Sequence, residues 1–276
     1  MVLGRKTIAN RHAGAKRIYA ELSDLAARPD AIERAHAINS KICAALPYII
    51  REDYEDRVRT QIERLITEGV DGWLVRNLEE LYMLKELNAP GVYIADYSLY
   101  SMNTFAKAEL YDMGIDRLTA PLEENFRELK ERGLAGDEII AYGRVPLMIS
   151  AQCILKTLGR CRKETGAAQS GAEWLYLKDR KGMRFPVEAL CNYCCNIIYN
   201  SLPISLYDAL HDIIRERPDA LRLVFTTESS AEEQKITGLF RDLLEGRSAG
   251  SGPDEDRGGK GRQADFTRGH FKRGVE

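Results

Sequence analysis

Short apolar runs of strand length alternate with amphipathic stretches of helical period from Leu46 onward. Tyr48-Ile49-Ile50 reads as a strand, followed by a helix whose stripe is Val58, Ile62, Leu65 and Ile66. Gly69 closes that helix, where a left-handed backbone suits glycine. The same phrase recurs with Trp73–Val75 and a helix near Leu78 to Leu87. Val92–Ala95 then precedes a helix through Phe105, Leu110 and Met113, stopped by Gly114. Arg117–Thr119 leads to a helix carrying Phe126 and Leu129, and Glu138–Tyr142 is a further strand. Upstream, Ile18, Leu22 and Leu25 recur at helical spacing until Pro29, and Ala31 to Ala45 reads as a second helix, so residues 1–45 form a helical leader.

Strand and helix alternating at this pitch predict parallel strands joined by right-handed crossovers. The candidates are a (β/α) barrel and an open doubly wound sheet. No Gly-x-Gly-x-x-Gly follows a strand, so the expectation is α/β and barrel-like over residues 46–245. The rhythm breaks over 143–205, an insertion with a hairpin from Trp174 to Val187 turning at Arg180-Lys181-Gly182. It resumes with Leu221–Phe225 and a helix from Ser230 to Glu245, whose Ser229-x-x-Glu232 has capping-box spacing. Residues 246–265 are Gly-, Ser- and Asp-rich and read as a flexible loop, and 266–276 as a C-terminal tail. The strands counted number six, two short of a closed barrel, so two escape the pattern or the chain is part of something longer.

A hydrophobic fraction of 44% exceeds that of a disordered chain, and a net charge of -2 leaves only local patches for polyanion binding. No apolar run approaches bilayer length, and the N-terminus lacks the apolar core of an export signal. A cytoplasmic protein without a membrane partner is expected.

Five of the six cysteines lie within one segment: Cys153, Cys161, Cys191, Cys194 and Cys195. In a reducing compartment such a group points to metal ligation or redox chemistry, with buried small hydrophobes as the plain alternative. Two pairs joined through a hairpin give four thiolates for one soft centre, zinc or an iron–sulfur cluster. Only Cys191-x2-Cys194 has zinc-knuckle spacing, and the uneven first half fits a cluster better. Cys43 stands alone and reads as core.

The stretches Tyr142–Cys153, Leu177–Val187 and Cys191–Ser201 resemble the collagenase-like peptidase family U-32. The resemblance extends to Asp96–Asn103, Ala120–Glu123 and Phe266–Val275, and implies the C-terminal barrel-like portion of a longer family member. It implies one of two activities. Some relatives are described as proteases. Others hold a 4Fe-4S cluster on four cysteines and take part in oxygen-independent hydroxylation of RNA or a quinone precursor. Cys153, Cys161, Cys191 and Cys194 occupy the ligand positions, with Cys195 as a substitute. The resemblance also implies RNA or an upstream or paired family domain as partner. The peptidase-annotated members carry a Glu-x-Phe-x-His-Gly-Ala phrase before the first cysteine. Here that stretch, Ile140 to Met148, has no histidine.

A hydrolase needs an activated nucleophile or a metal-bound water. His12, His36, His211 and His270 show no metal-ligand spacing, there is no Gly-x-Ser-x-Gly elbow, and His211 reads as a surface residue. In a barrel, substrate groups follow the strands. Arg76, Asn77, Asp96, Asn103, Glu123 and Arg144 do so and are the candidate catalytic residues, with helix capping as the plain alternative. The basic tail with Phe266, His270 and Phe271 either stacks on bases or tucks back onto the domain, the latter being favoured. The expected function is thus iron–sulfur-dependent modification of RNA or a small aromatic acceptor. A protease and a non-catalytic metal-stabilised binding module are the alternatives.

Overall fold

A computed structural model describes residues 2–3, 15–28, 30–161, 174–247 and 266–273. Residues 248–265 of the predicted loop 246–265 and the tail beyond 273 lie outside the described residues, as does Pro29.

The protein is mixed α/β, with a parallel sheet flanked by helices. Its strands are β1 (Val2–Leu3), β2 (Arg17–Glu21), β3 (Lys41–Ala45), β4 (Gly72–Val75), β5 (Val92–Ala95), β6 (Arg117–Leu118), β7 (Glu138–Gly143), β12 (Ile204–Ser205) and β13 (Ala220–Val224). They run in the order β12-β7-β13-β1-β2-β3-β4-β5-β6. Every pairing from β7 through to β6 is parallel, and only β12 joins antiparallel. An isolated parallel bridge, Thr119 to Glu138, links the chain just past β6 to β7.

Residues 1–45 are not a helical leader: they supply β1, β2 and β3. Among the described residues of this region, helices are confined to Leu22–Ala26 and Asp30–Ala37. The Ile18-Leu22-Leu25 spacing runs from a strand into a helix and belongs to neither. Likewise Tyr48–Ile50 is loop, and the strand before the helix Glu55–Glu68 is β3. The other predicted elements stand close to their expected places. Gly69 caps Glu55–Glu68 with φ 80, and Ser229 and Glu232 form a reciprocal capping box on the helix Ser230–Leu244.

The strands alternate with period two. Ile18, Ala20, Ile42, Ala44, Trp73, Val75, Leu221 and Leu223 lie in the large core that packs against the helices. The opposite face carries Tyr19, Cys43, Ala45, Leu74 and Ile94 as a second, smaller cluster. Arg17, Glu21, Glu138 and Arg222 share that face by alternation. An Arg-Ile-Tyr-Ala-Glu strand with charges on its inner face looks too polar for a strand, which is why the hydrophobic pattern misses β2.

Within residues 143–205, strands lying between Pro146 and Tyr199 form a second, four-stranded antiparallel sheet ordered β8-β11-β10-β9. Its strands are β8 (Pro146–Ser150), β9 (Trp174–Lys178), β10 (Arg184–Leu190) and β11 (Cys195–Tyr199). The predicted β9–β10 hairpin is present. Asp179 Oδ1 accepts from the backbone N–H groups of Lys181 and Met183, and Gly182 takes φ 84 in the turn. The tail docks on the main sheet, as the favoured alternative holds. Thr267 bridges Ile204, and the Phe271 ring stacks on Phe126 with centroids 5.0 Å apart. Among the described residues no helix is long and apolar enough to cross a membrane.

Candidate functional site

The C-terminal ends of the parallel strands and the inner face of the second sheet enclose a cavity of about 530 Å³. Its floor is a chain of alternating charges. Glu21, at the end of β2, accepts both terminal nitrogens of Arg76 at 2.9 Å. Arg76 Nε reaches Asp96 Oδ2 at 3.3 Å, and the guanidinium lies 3.9 Å from the Tyr48 ring centroid. Asp96 Oδ1 accepts from Arg222 Nη1 at 2.7 Å, and Arg222 Nη2 donates to Glu138 Oε2 at 2.6 Å and Thr119 Oγ1 at 2.6 Å. Arg17 and the Tyr19 hydroxyl complete the shell of Glu138. Arg76, Asp96, Arg222 and Glu138 are almost wholly removed from water, while Glu21 and Arg17 keep partial exposure, so the four buried groups depend on their neighbours' charge. Burial acts to lower the Arg222 pKa, but Glu138, Tyr19 and Asp96 outweigh it and hold it raised. Arg76 is likewise raised, by Glu21 and Tyr48 against burial.

Two of the six candidate residues, Arg76 and Asp96, therefore sit in this floor, and Arg144 lines the wall. Arg144 Nε donates to Thr227 Oγ1 at 3.2 Å, and its Nη1 donates to the Asn200 and Ser201 carbonyls. Asn103 is not brought to the cavity. It is an exposed N-cap accepting from Ala106 N at 2.8 Å, and Asn77 caps the helix Leu78–Glu86 in the same way. Glu123 does not line the cavity either. For Asn77 and Asn103 the plain alternative of helix capping holds.

The sequence reading misses the residues that give the cavity its wall. Tyr48 and Tyr97 place their hydroxyls 3.4 Å apart, and burial pushes the Tyr48 phenol up to about 12. From the second sheet come Trp174, Glu188 and Tyr199. Tyr199 donates to Glu188 Oε2 at 2.7 Å, and its ring meets Trp174 edge-on with centroids 5.9 Å apart. Burial raises the Tyr199 pKa well above the phenol range, with Glu188 adding to it. One signal was available: Arg222 and Glu188 are charges set inside otherwise apolar strands, a position that demands a buried partner.

Gly143 ends β7 at the cavity wall with φ 148. A Cβ there would stand 2.6 Å from Val224 Cβ, so only glycine allows β7 and β13 to approach at this edge.

Against the cavity lies the cysteine pocket. Cys153, Cys161, Cys191, Cys194 and Cys195 line one small space of about 20 Å³ together with Leu155, Ala189 and Leu190. The fold explains their meeting. Cys191 to Cys194 form the turn between β10 and β11, closed by the Leu190–Cys195 pair. Asn196 pairs with Ser150 on β8, which delivers Cys153 three residues on as the N-cap of the helix Ile154–Thr157. Gly159, at φ 66, turns the chain back so that Cys161 reaches the same space.

None of the six cysteines is in a disulfide. Burial, then Cys194, pushes the Cys195 thiol up to about 11. Cys43 is core, its thiol raised to about 12 by burial. Among the described residues no group of three or more His, Cys, Asp or Glu side chains is arranged to hold a metal ion, so the thiols are gathered without closing on a single point. The donor set is nonetheless all sulfur in an apolar surround, the chemistry that soft iron–sulfur centres need. Ala189, Leu190 and Cys191 line both spaces, so the thiols stand directly behind the cavity wall.

An α/β protein with a cavity at its strand ends, floored by buried charges, and a thiol cluster behind one wall is thereby defined. The chain matches the model of peptidase family U32 over residues 3–271, and it belongs to that family. The match takes in residues 3–45, so β2 and β3 lie inside the family unit. No curated protein and no solved structure matches the chain.

Proposed function

We propose that this U32-family protein holds a 4Fe-4S cluster on Cys153, Cys161, Cys191 and Cys194. In this reading it assists hydroxylation or a related modification of RNA or a small aromatic acceptor bound in the adjoining cavity. The observation that carries the reading is the shared wall: Cys191 lines both the thiol pocket and the 530 Å³ cavity. When bound, such a cluster supplies one-electron chemistry or a Lewis-acidic iron.

The chain's own residues do the rest. Trp174, Tyr48 and Tyr97 offer flat apolar surfaces and hydroxyls to a ring, and the second sheet screens it from water. The Tyr199–Glu188 pair places a proton on a short bond at the cavity wall. The Glu21–Arg76–Asp96–Arg222–Glu138 chain holds the floor rigid, because no member can move without exposing a buried charge. Also within this reading, the parallel strands close into an eight-stranded barrel. The Thr119–Glu138 bridge between the two ends of the run supports closure.

The test is anaerobic purification with metal and sulfide analysis. A brown protein absorbing near about 400 nm, with about four irons per chain, is expected. Replacing any of the four cysteines by alanine should bleach it or halve its iron. Full retention of iron in all four variants overturns the cluster. A colourless protein with one zinc moves the pocket to a structural role. Cleavage of gelatin that survives chelators and the Cys153→Ala change would favour the peptidase instead. Among the described residues, His36, His211 and His270 are exposed and do not line the cavity, which gives no support to a peptidase built on any of these three.

A further inference from the structure

The β9–β10 hairpin carries charge and aromatic surface that neither the thiol pocket nor the cavity uses. Its outer end holds Lys178, Arg180, Lys181 and Arg184, all exposed. Among the described residues none of them has a carboxylate partner. The one acid in the turn, Asp179, spends an oxygen on two backbone N–H groups. By contrast Arg17, Arg76, Arg132 and Arg222 are all in ion pairs. Four unpaired cations on one ribbon are therefore a local feature of a chain whose overall charge is near zero.

The register fixes which way they point. Lys178 pairs with Arg184, Tyr176 with Pro186, and Trp174 with Glu188. Directly opposed residues share a sheet face, and alternation keeps Tyr176 and Lys178 on the face of Trp174. Lys178, Arg184, Tyr176, Trp174 and Glu188 thus lie on one face of one ribbon, and its inner end, Trp174 and Glu188, lines the cavity. Arg184 also sits over the Tyr176 ring, 4.8 Å from its centroid. From Lys178 to Trp174 is about 13 Å of strand.

We infer that this ribbon face is a docking track for a single-stranded RNA backbone, with phosphates on Lys178, Arg180, Lys181 and Arg184, a base on Tyr176, and the next nucleotide delivered past Trp174 into the cavity. Cations interleaved with an exposed aromatic ring are the surface that single strands select. An acidic protein would leave the ring unused. A bilayer would need the apolar groups beside the cations, but Leu177 falls on the opposite face by alternation. The inference rests on the RNA limb of the proposed function and not on the cluster.

The test is fluorescence anisotropy of a labelled, mixed-sequence single-stranded RNA with the anaerobically purified full chain, over a range of salt. The variant Lys178→Gln, Arg180→Gln, Lys181→Gln, Arg184→Gln should weaken binding by at least about tenfold and flatten the log–log salt slope by about 3. Lys178→Arg with Lys181→Arg should bind as wild type does. Tyr176→Ala should weaken binding with little change in slope. Unchanged affinity in the four-glutamine variant overturns the track. So does a wild type that binds phosphatidylserine vesicles or polyglutamate as tightly as RNA, or binds no RNA. Iron content read on the same samples separates the two readings. A brown, folded glutamine variant without RNA affinity places the loss on the ribbon, whereas a colourless wild type that still binds RNA leaves the track standing and removes the cluster.

Discussion

The Asn196 side-chain amide donates to the Gln152 carbonyl at 2.6 Å, joining the two cysteine-bearing stretches one residue before Cys153 and one after Cys195. Asn196 is fully buried and paired across the strands with Ser150, so this bond sets where the first stretch leaves the sheet. Replacing Asn196 by alanine should leave the Gln152 carbonyl without that donor, at a cost of about 1–3 kcal/mol. On the cluster reading, the variant should also retain less iron while keeping its secondary structure. Urea unfolding and iron analysis check the two effects separately.

Arg222 binds three buried partners at once: Asp96, Glu138 and Thr119. Arg222→Met preserves much of the volume but strands two carboxylates away from water. A loss of about 3–5 kcal/mol is expected, as for any buried pair broken from one side. Arg222→Lys, which restores charge but not the fork, should recover only part of it. Equilibrium denaturation of the three proteins measures both.

Asp71 supplies a pH dependence. Burial acts to raise its pKa, but the hydrogen bonds from Lys41, the Ile42 backbone and His36 outweigh it and hold it below the ordinary aspartate range. A depressed carboxylate stabilises the fold above its unfolded pKa, and that contribution is lost as pH falls through the folded value. Stability should therefore drop as pH falls below about 4. In Asp71→Asn the drop should be shallower, with a lower plateau at neutral pH. Thermal unfolding against pH reads the difference.

The docked tail contributes through Phe271, which is buried, stacked on Phe126, and joined to it by a backbone bond from Phe126 N to the Phe271 carbonyl at 2.8 Å. Phe271→Ala should cost about 3–5 kcal/mol, the usual price of emptying an aromatic site. Limited proteolysis should then cut the chain on the N-terminal side of residue 266 faster than in wild type. Unchanged stability would mean that the tail adds nothing to the fold.

What the pattern of residues alone determined is considerable. Strands β4 to β7 and β13, the intervening helices, the capping box at Ser229 and the hairpin after Trp174 were all legible, because each follows from local period, caps and turn residues. The cysteines were legible as a group from their crowding, and the family from the motifs around them. Strands β2 and β3 were not. An inner face built of Arg17, Tyr19 and Glu21 reads as polar until Glu138 and Arg76 are placed opposite, and those partners lie 121 and 55 residues away in the chain.

The same reason sorted the candidate site residues. Asn77, Asn103 and Asp96 look alike in sequence, each a polar residue between a strand and the following helix. All three cap helical turns, but only Asp96 also lies buried between two arginines. Whether a capping side chain is also part of a cavity depends on what stands across from it, and local spacing carries no record of that. Only the tertiary structure brought Cys153 and Cys161 beside Cys191 and Cys194, and set that pocket against the strand ends, because strand register and the β8–β11 pairing act between residues distant in sequence.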